Sequence, residues 1–468
     1  MSTQLSKNAW LKYDKKTMSA VMDFAEEYRR FLSANKTERE CADAIVKKAK
    51  SLGFKNIADV KKAKAGDKIY ASLMGKIVAL FVVGSEPLEN GMKILGAHID
   101  SPRLDLKQVP VYEDDYTEIA LLDTHYYGGI KKYQWVTIPL AMHGVICRKD
   151  GTTVKVNIGD EPGDPVFGVS DLLIHLGADQ LQKKGATVVE GEDLNVTFAT
   201  IPLKGEKEYA VRANVWKLLS KKYGVEEDDF LSAEIEIVPA GEARDMGIDS
   251  SLLMGYGHDD RCCAYPSAEA LFRVVSDETN IPAWHGRTMV CLLVDKEEIG
   301  SVGATGMHSK FFENTVAELL DRMGEYSELK LRRAMQNSVM LSSDVSAAYD
   351  PNYAGVFERK NAAYFGCGLV FNKYTGSRGK SGSNDANPEY FAKIRKAFDD
   401  ANVSFQTAEL GKVDQGGGGT IAYIMGNYGM NVIDCGVAVQ NMHAPWEVIS
   451  KADLYEALQG YLAFYRAM

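Results

Sequence analysis

The chain has 468 residues, 46% of them hydrophobic and 25% charged, and a formal net charge of −10. These proportions belong to soluble globular proteins and exclude collagen-like, disordered and membrane-spanning classes, while the length points to two domains rather than one core. The acidic balance argues against a nucleic-acid partner, which needs a basic surface to displace counterions.

Met1 to Lys16 is polar with scattered apolar positions, so no secretory leader is expected. The best apolar run, Ile77 to Val83, is only about a third of a membrane span, so no membrane partner is expected either. Cys41, Cys147, Cys262, Cys263, Cys291, Cys367 and Cys435 form neither a disulfide framework nor a zinc-knuckle spacing. They are expected as free thiols in a reducing cytoplasm.

Met18, Val21, Met22, Phe24, Ala25, Tyr28 and Leu32 recur at helical spacing, and Thr37-Glu-Arg-Glu40 reads as a capping box opening a second helix. Strands are predicted at Lys68 to Ser72, Lys76 to Val83 and Lys93 to His98; the last is apolar and stops on polar residues, as a buried α/β strand does. From about 109 to 244 the texture changes to short β-like runs and acidic Gly/Pro loops. Asp150-Gly151 predicts a two-residue hairpin turn, and Val169 to Lys184 a helix. This block, 109–244, is read as a mostly β domain inserted into a catalytic domain made of 1–108 and 245–468.

Beyond 245 the alternation returns. Strands are predicted at Thr288 to Val294, Ser338 to Leu341 and Asn431 to Asp434, and helices at Ala264 to Ser276, Lys310 to Met323, Pro388 to Ala401 and Lys451 to Tyr465. The fold class expected is α/β: a mixed sheet covered by helices, with the β-rich insert.

The chemistry-bearing residues sit just past these strands. His98 and Asp100 follow the run to Ala97, Glu297-Glu298 follows Val294, Asp344 follows Leu341, and His443 follows the apolar stretch ending at Val439. In an open α/β sheet the carboxyl ends of strands line one crevice, where ligands bind. Asp259-Asp260 adds acid before a predicted helix. Singly, a His-x-Asp or an acidic doublet is ordinarily a surface or structural feature. Together they concentrate charge where burial would otherwise disfavour it. Two histidines with several carboxylates suit a pair of divalent ions, and one of the two adjacent glutamates would bind metal while its neighbour acts as base. That combination is a metal-dependent amide hydrolase.

Other features are read more plainly. Gly416 to Gly419 precedes a predicted helix from Thr420 and would present backbone N–H groups to an anion or carboxylate, with a tight turn as the alternative. Cys262-Cys263 is read as structural, His258 as a neighbour of the acidic pair, and His175 as an ordinary histidine of the insert.

Ala97-His-Ile-Asp-Ser-Pro-Arg103, Asp259-Asp-Arg261, Asp295-Lys-Glu-Glu-Ile-Gly-Ser301, Ser343-Asp-Val-Ser-Ala-Ala-Tyr-Asp-Pro-Asn-Tyr353 and Met442-His-Ala-Pro-Trp-Glu447 resemble the aspartyl aminopeptidase family, M18 of the metallopeptidases, in its bacterial form. The resemblance implies a two-zinc exopeptidase, with cobalt or manganese as alternative metals, acting on peptides with a free N-terminus. It implies His98 and Asp344 on one metal, Glu298 and His443 on the other, and Asp259 bridging them. Asp100 would orient His98, and Glu297 would be the catalytic base. It further implies that the insert mediates dimer contacts within a homo-oligomer, a closed tetrahedral dodecamer, and that His175 reaches a neighbouring active site. Lys373, Arg378 and Lys380 would meet an acidic substrate side chain, and Gly417 and Gly418 would line the substrate. Members differ in preferring acidic or neutral first residues. A related hydrolase of N-acyl amino acids, a carboxypeptidase, and a non-catalytic scaffold are the alternative readings.

Overall fold

The computed structural model describes residues 8–276 and 285–468. Of the stretch read for a leader, residues 1–7 lie outside the described residues. The chain divides into two compact units: one comprises the chain up to Asp100, Ala243–Met442 and Glu447–Met468, and the other Ser101–Glu242 with His443–Trp446.

The first unit is built on a nine-stranded mixed sheet. Its four central strands run Met289–Val294, Lys93–His98, Val339–Ser342 and Asn431–Gly436 in space, each parallel to the next. Ile77–Val82 and Leu369–Asn372 flank them antiparallel. The central strands are almost continuously apolar because both faces are covered. Successive side chains alternate between two cores. Leu95, Ala97, Cys291, Leu293, Leu341 and Ile433 join one; Ile94, Val290, Leu292, Met340 and Val432 join the other.

Helices supply the covering layers. Lys15–Ala34 is capped by Asp14 and buries Val21, Phe24, Ala25, Tyr28 and Leu32, a stripe at helical spacing. Glu38–Ser51 opens with the capping box of Thr37 and Glu40. His258–Ser276, Phe311–Arg322, Pro388–Asp400 and Lys451–Ala467 form over the segments predicted to be helical. A five-stranded sheet also belongs to this unit and includes Leu252–Gly255 paired antiparallel with Glu447–Ser450.

Register decides what lies at the top of the main sheet. Val294 is opposite His98, Gly96 opposite Ser342, and Ser342 opposite Asp434. Residues just past Val294, Ala97 and Ser342 therefore emerge together. Gly436 sits so close to the segment leaving Val339–Ser342 that a Cβ there would lie 1.9 Å from the carbonyl oxygen of Asp344.

The second unit is a seven-stranded antiparallel sheet, ordered Thr153–Ile158, Leu140–Cys147, Ala233–Pro239, Arg103–Glu113, Ala120–Tyr127, Val196–Ala199, Gly168–Val169. Two expectations fail here. Val169 to Lys184 is not a helix but holds single turns at Ile174–Leu176 and Gln180–Gln182. Its apolar residues, Leu172, Leu173, Ile174 and Leu176, fall in a run rather than on one face, and Gly177 interrupts them. The unit's true helix, Ala210–Tyr223, has no strong amphipathic signal. The hairpin at Asp150-Gly151 forms, but its last strand pair is Cys147 with Thr153. Arg148 N–H bonds the Thr152 carbonyl and Gly151 takes φ 87°, which makes a longer loop than the two-residue turn.

Candidate metal centre

The strand Lys93–His98 ends by placing a fully buried imidazole at the top of the sheet. His98 Nδ1 lies 3.0 Å from the backbone carbonyl oxygen of Asp100 and 3.3 Å from its carboxylate. A carbonyl accepts only, so Nδ1 carries a proton, and Nε2 is turned toward the acidic side chains. Asp259 Oδ1 is 3.2 Å from that Nε2 and Glu297 Oε2 is 4.0 Å away. Asp344 completes the group: ligand atoms of His98, Asp259 and Asp344 all lie within 4.8 Å of one another, and all three residues are buried. Those of Asp259 and Glu298 lie equally close.

Neighbouring polar groups fix these positions. The Asp100 carboxylate accepts the backbone N–H of Glu297 and of Glu298, each at 3.2 Å. One aspartate thus sets both the His98 ring and the glutamate turn. Asp260 accepts the backbone N–H of His98 at 3.3 Å, and Glu447 accepts that of Asp259 at 3.0 Å.

Electrostatics show what this arrangement suits. Burial works against a charged imidazole at His98, yet hydrogen bonds to Asp100 and Asp259, with the charges of Asp100 and Glu297, hold its pKa well above the ordinary value. Burial, followed by the charges of Glu297 and Asp259, pushes the Asp344 carboxyl far up. Several acids crowd one imidazole, and each destabilises ionisation of the next. A divalent cation relieves that crowding, and the donors suit zinc: an imidazole nitrogen whose other nitrogen is held by a carbonyl, beside carboxylate oxygens. The residues present fit the metal.

The sequence profile of the Aminopeptidase I zinc metalloprotease family, M18, matches residues 31–465. The chain belongs to the M18 aminopeptidase family. A relative from Clostridium acetobutylicum, named a probable M18 family aminopeptidase 1, is 59% identical over 463 residues, covering 98% of this chain and 97% of the relative. The crystal structure of aminopeptidase I from Clostridium acetobutylicum is 58% identical, with a TM-score of 0.89 and coverage of 98% of each chain. That of an M18-family aminopeptidase from Thermotoga maritima is 42% identical, with a TM-score of 0.93, covering 98% of this chain and 99% of the other. The protein is therefore a metallo-aminopeptidase of the zinc-dependent M18 family.

His443 stands at φ 66° in the stretch grouped with the second unit, where its Nδ1 lies 2.8 Å from the Gly129 carbonyl. His175 is exposed on the turn Ile174–Leu176. Lys373 and Lys380 both pair with Asp385 of their own loop, at 2.8 and 3.4 Å, and Lys380 also lies over the Tyr374 ring. Arg378 is an exposed residue at φ 51°. Gly417 packs on that loop: a Cβ would fall 2.1 Å from the Gly376 carbonyl, and the Gly376 N–H bonds Gly418 at 2.6 Å. The helix expected from Thr420 is only Ala422–Gly426, too short to serve as an anion site, and close backbone packing on that loop calls for glycine at 417.

Glu447 and Asp295 lie within the family motifs, yet nothing in their local sequence marks either for a role. Cys262 and Cys263 are buried, and burial raises both thiols, to about 11 for Cys262, so neither is a nucleophile. Among the described residues no helix is long and apolar enough to cross a membrane.

Proposed function

We propose that the protein is a dinuclear zinc aminopeptidase that removes the first residue from peptides with a free N-terminus. The observation that carries this reading is the buried convergence of His98, Asp259 and Asp344, with Glu297 Oε2 4.0 Å from the same imidazole nitrogen. His98 and Asp344 would hold one zinc, Glu298 and His443 the other, and Asp259 would bridge them. His443 suits a ligand because its Nδ1 is committed to the Gly129 carbonyl, leaving Nε2 for metal.

Bound zinc supplies Lewis-acid polarisation of the scissile carbonyl and lowers the pKa of the attacking water. The protein's part is proton handling and orientation. Glu297, partly buried and fixed through its own N–H to Asp100, takes the proton of the water and delivers it to the leaving amine. Asp100 holds His98 in one tautomer. Gly417 and Gly418 line the substrate, beside the loop of Lys373, Arg378 and Lys380. With Lys373 and Lys380 already engaged by Asp385, neutral first residues are the better fit.

The second unit serves assembly. Leu172, Leu173, Ile174 and Leu176 are 47 to 68% exposed in one short stretch, an apolar surface of the kind that mates with another copy. We take it as part of the contact through which a closed dodecamer forms, carrying His175 to a neighbour's active site. Seven cysteines, six of them buried, suit a reducing, cytoplasmic setting.

The test is Glu297→Gln. It is expected to keep two metals per subunit while turnover of an aminoacyl-anilide falls by about 10²–10⁴-fold, the usual worth of a general base. Wild-type turnover in a metal-replete variant would refute the assignment.

A further inference from the structure

The turn that carries Glu297 and Glu298 is held by groups that the reaction outlined above does not use. It is entered by Lys296 at φ 68° and left by Gly300 at φ 93° and Ser301 at φ 61°. Left-handed backbone is natural for Gly300 but unfavourable for Lys296 and Ser301, so the turn persists only if its surroundings over-determine it.

Asp295 provides much of that constraint. It is 1% exposed, directly after the central strand Met289–Val294. Its Oδ1 accepts the Lys296 N–H at 2.7 Å, and its Oδ2 accepts the hydroxyl of Thr305, also 1% exposed, at 2.6 Å. The Asp295 N–H returns a bond to the Thr305 carbonyl at 3.2 Å. Ser301 N–H then bonds the Lys296 carbonyl at 2.7 Å, and His308 N–H bonds the Ser301 carbonyl at 3.1 Å. The Lys296 stem crosses Gly303 so closely that a Cβ there would lie 2.9 Å from its Cδ, and its Nζ is 3.4 Å from Asp295. Two aspartates therefore grip consecutive amides: Asp295 takes residue 296, and Asp100 takes 297 and 298.

We propose that Asp295 and Thr305 form a buried clasp that positions Glu297 for proton transfer, acting through the Lys296 backbone without touching substrate. The Thr305 hydroxyl fixes which way the Asp295 carboxylate faces, and that carboxylate fixes the amide from which the Glu297 side chain is launched. The inference rests on reading Glu297 as the base.

The test compares zinc-loaded wild type with Thr305→Val, Thr305→Ser, Asp295→Asn and Glu297→Gln on a leucyl-anilide, measuring kcat, KM and bound metal. In Thr305→Val, kcat is expected to fall about tenfold or more with KM held within about twofold, because small misplacement of a reacting group is costly. Bound metal stays at the wild-type level, Thr305→Ser restores most of the lost kcat, and Asp295→Asn lowers kcat in the same sense. Unchanged kcat in Thr305→Val overturns the proposal. So does a loss that Thr305→Ser does not recover, or one that tracks metal loss. If Glu297→Gln retains kcat, the base assignment fails instead, whatever Thr305 shows.

Discussion

As a metal ligand His98 would need one nitrogen free of its proton and the other protonated to hold its orientation, and Asp100 supplies the second condition twice over, through carbonyl and carboxylate. The same carboxylate reads the amides of Glu297 and Glu298, so the proposed ligand and the proposed base share a common reference. At this scale the sequence is informative where a charged residue directly follows an apolar strand. His98, Glu297 and Asp344 announce themselves that way, since water-loving groups at such positions need a reason. It is uninformative where the partner comes from far away. Glu447 meets the Asp259 N–H across 188 residues because Gly255 pairs with Glu447 in the smaller sheet, and no local pattern encodes that register. Lys373 and Lys380 show the opposite difficulty. Their charge invites an acidic substrate, but Asp385, twelve residues beyond Lys373, already answers both.

Elements with a one-sided apolar stripe or a strong cap are legible, as in the helix opened by Thr37 and the one begun by Pro388 after its Asn387 cap. The insert lacks such marks. Val211, Val215 and Leu219 are the buried residues of Ala210–Tyr223, too sparse a stripe to stand out, while the apolar run near Ile174 suggests a helix and stays exposed. Packing between strands is equally invisible in the sequence, and Gly436 makes it testable. An alanine there would drive its Cβ to 1.9 Å from the Asp344 carbonyl, a backbone atom that cannot swing away. Gly436→Ala is expected to cost about 1–3 kcal/mol in thermal or denaturant unfolding, as overpacked sites do, and to weaken zinc binding by displacing Asp344. Gly355→Ala, whose Cβ meets nothing within 4 Å, serves as the near-neutral control. Equal stability of the two variants would show that the strands relax apart freely.

At the scale of the whole molecule, alternation of strands and helices gives the α/β class, but strand order does not follow chain order. Met289–Val294 inserts between Ile77–Val82 and Lys93–His98, so the central layer closes only after most of the chain is present. The composition change in this block reflects an antiparallel sheet, and on the proposed reading its exposed apolar stretch would tie activity to assembly. Replacing Ile174 and Leu176 by aspartate is expected to yield smaller species by light scattering and to lower turnover, because His175 no longer reaches a neighbouring subunit. Full activity in the dissociated protein would remove that role. Hydrolysis by paired zinc ions in one ligand cluster is the core of the proposed mechanism. Its most direct measurement strips the enzyme with a chelator and follows leucyl-anilide turnover as zinc is added back. Negligible activity without metal and a plateau at two equivalents per subunit are expected; a plateau at one equivalent, or activity indifferent to zinc, would refute the dinuclear mechanism.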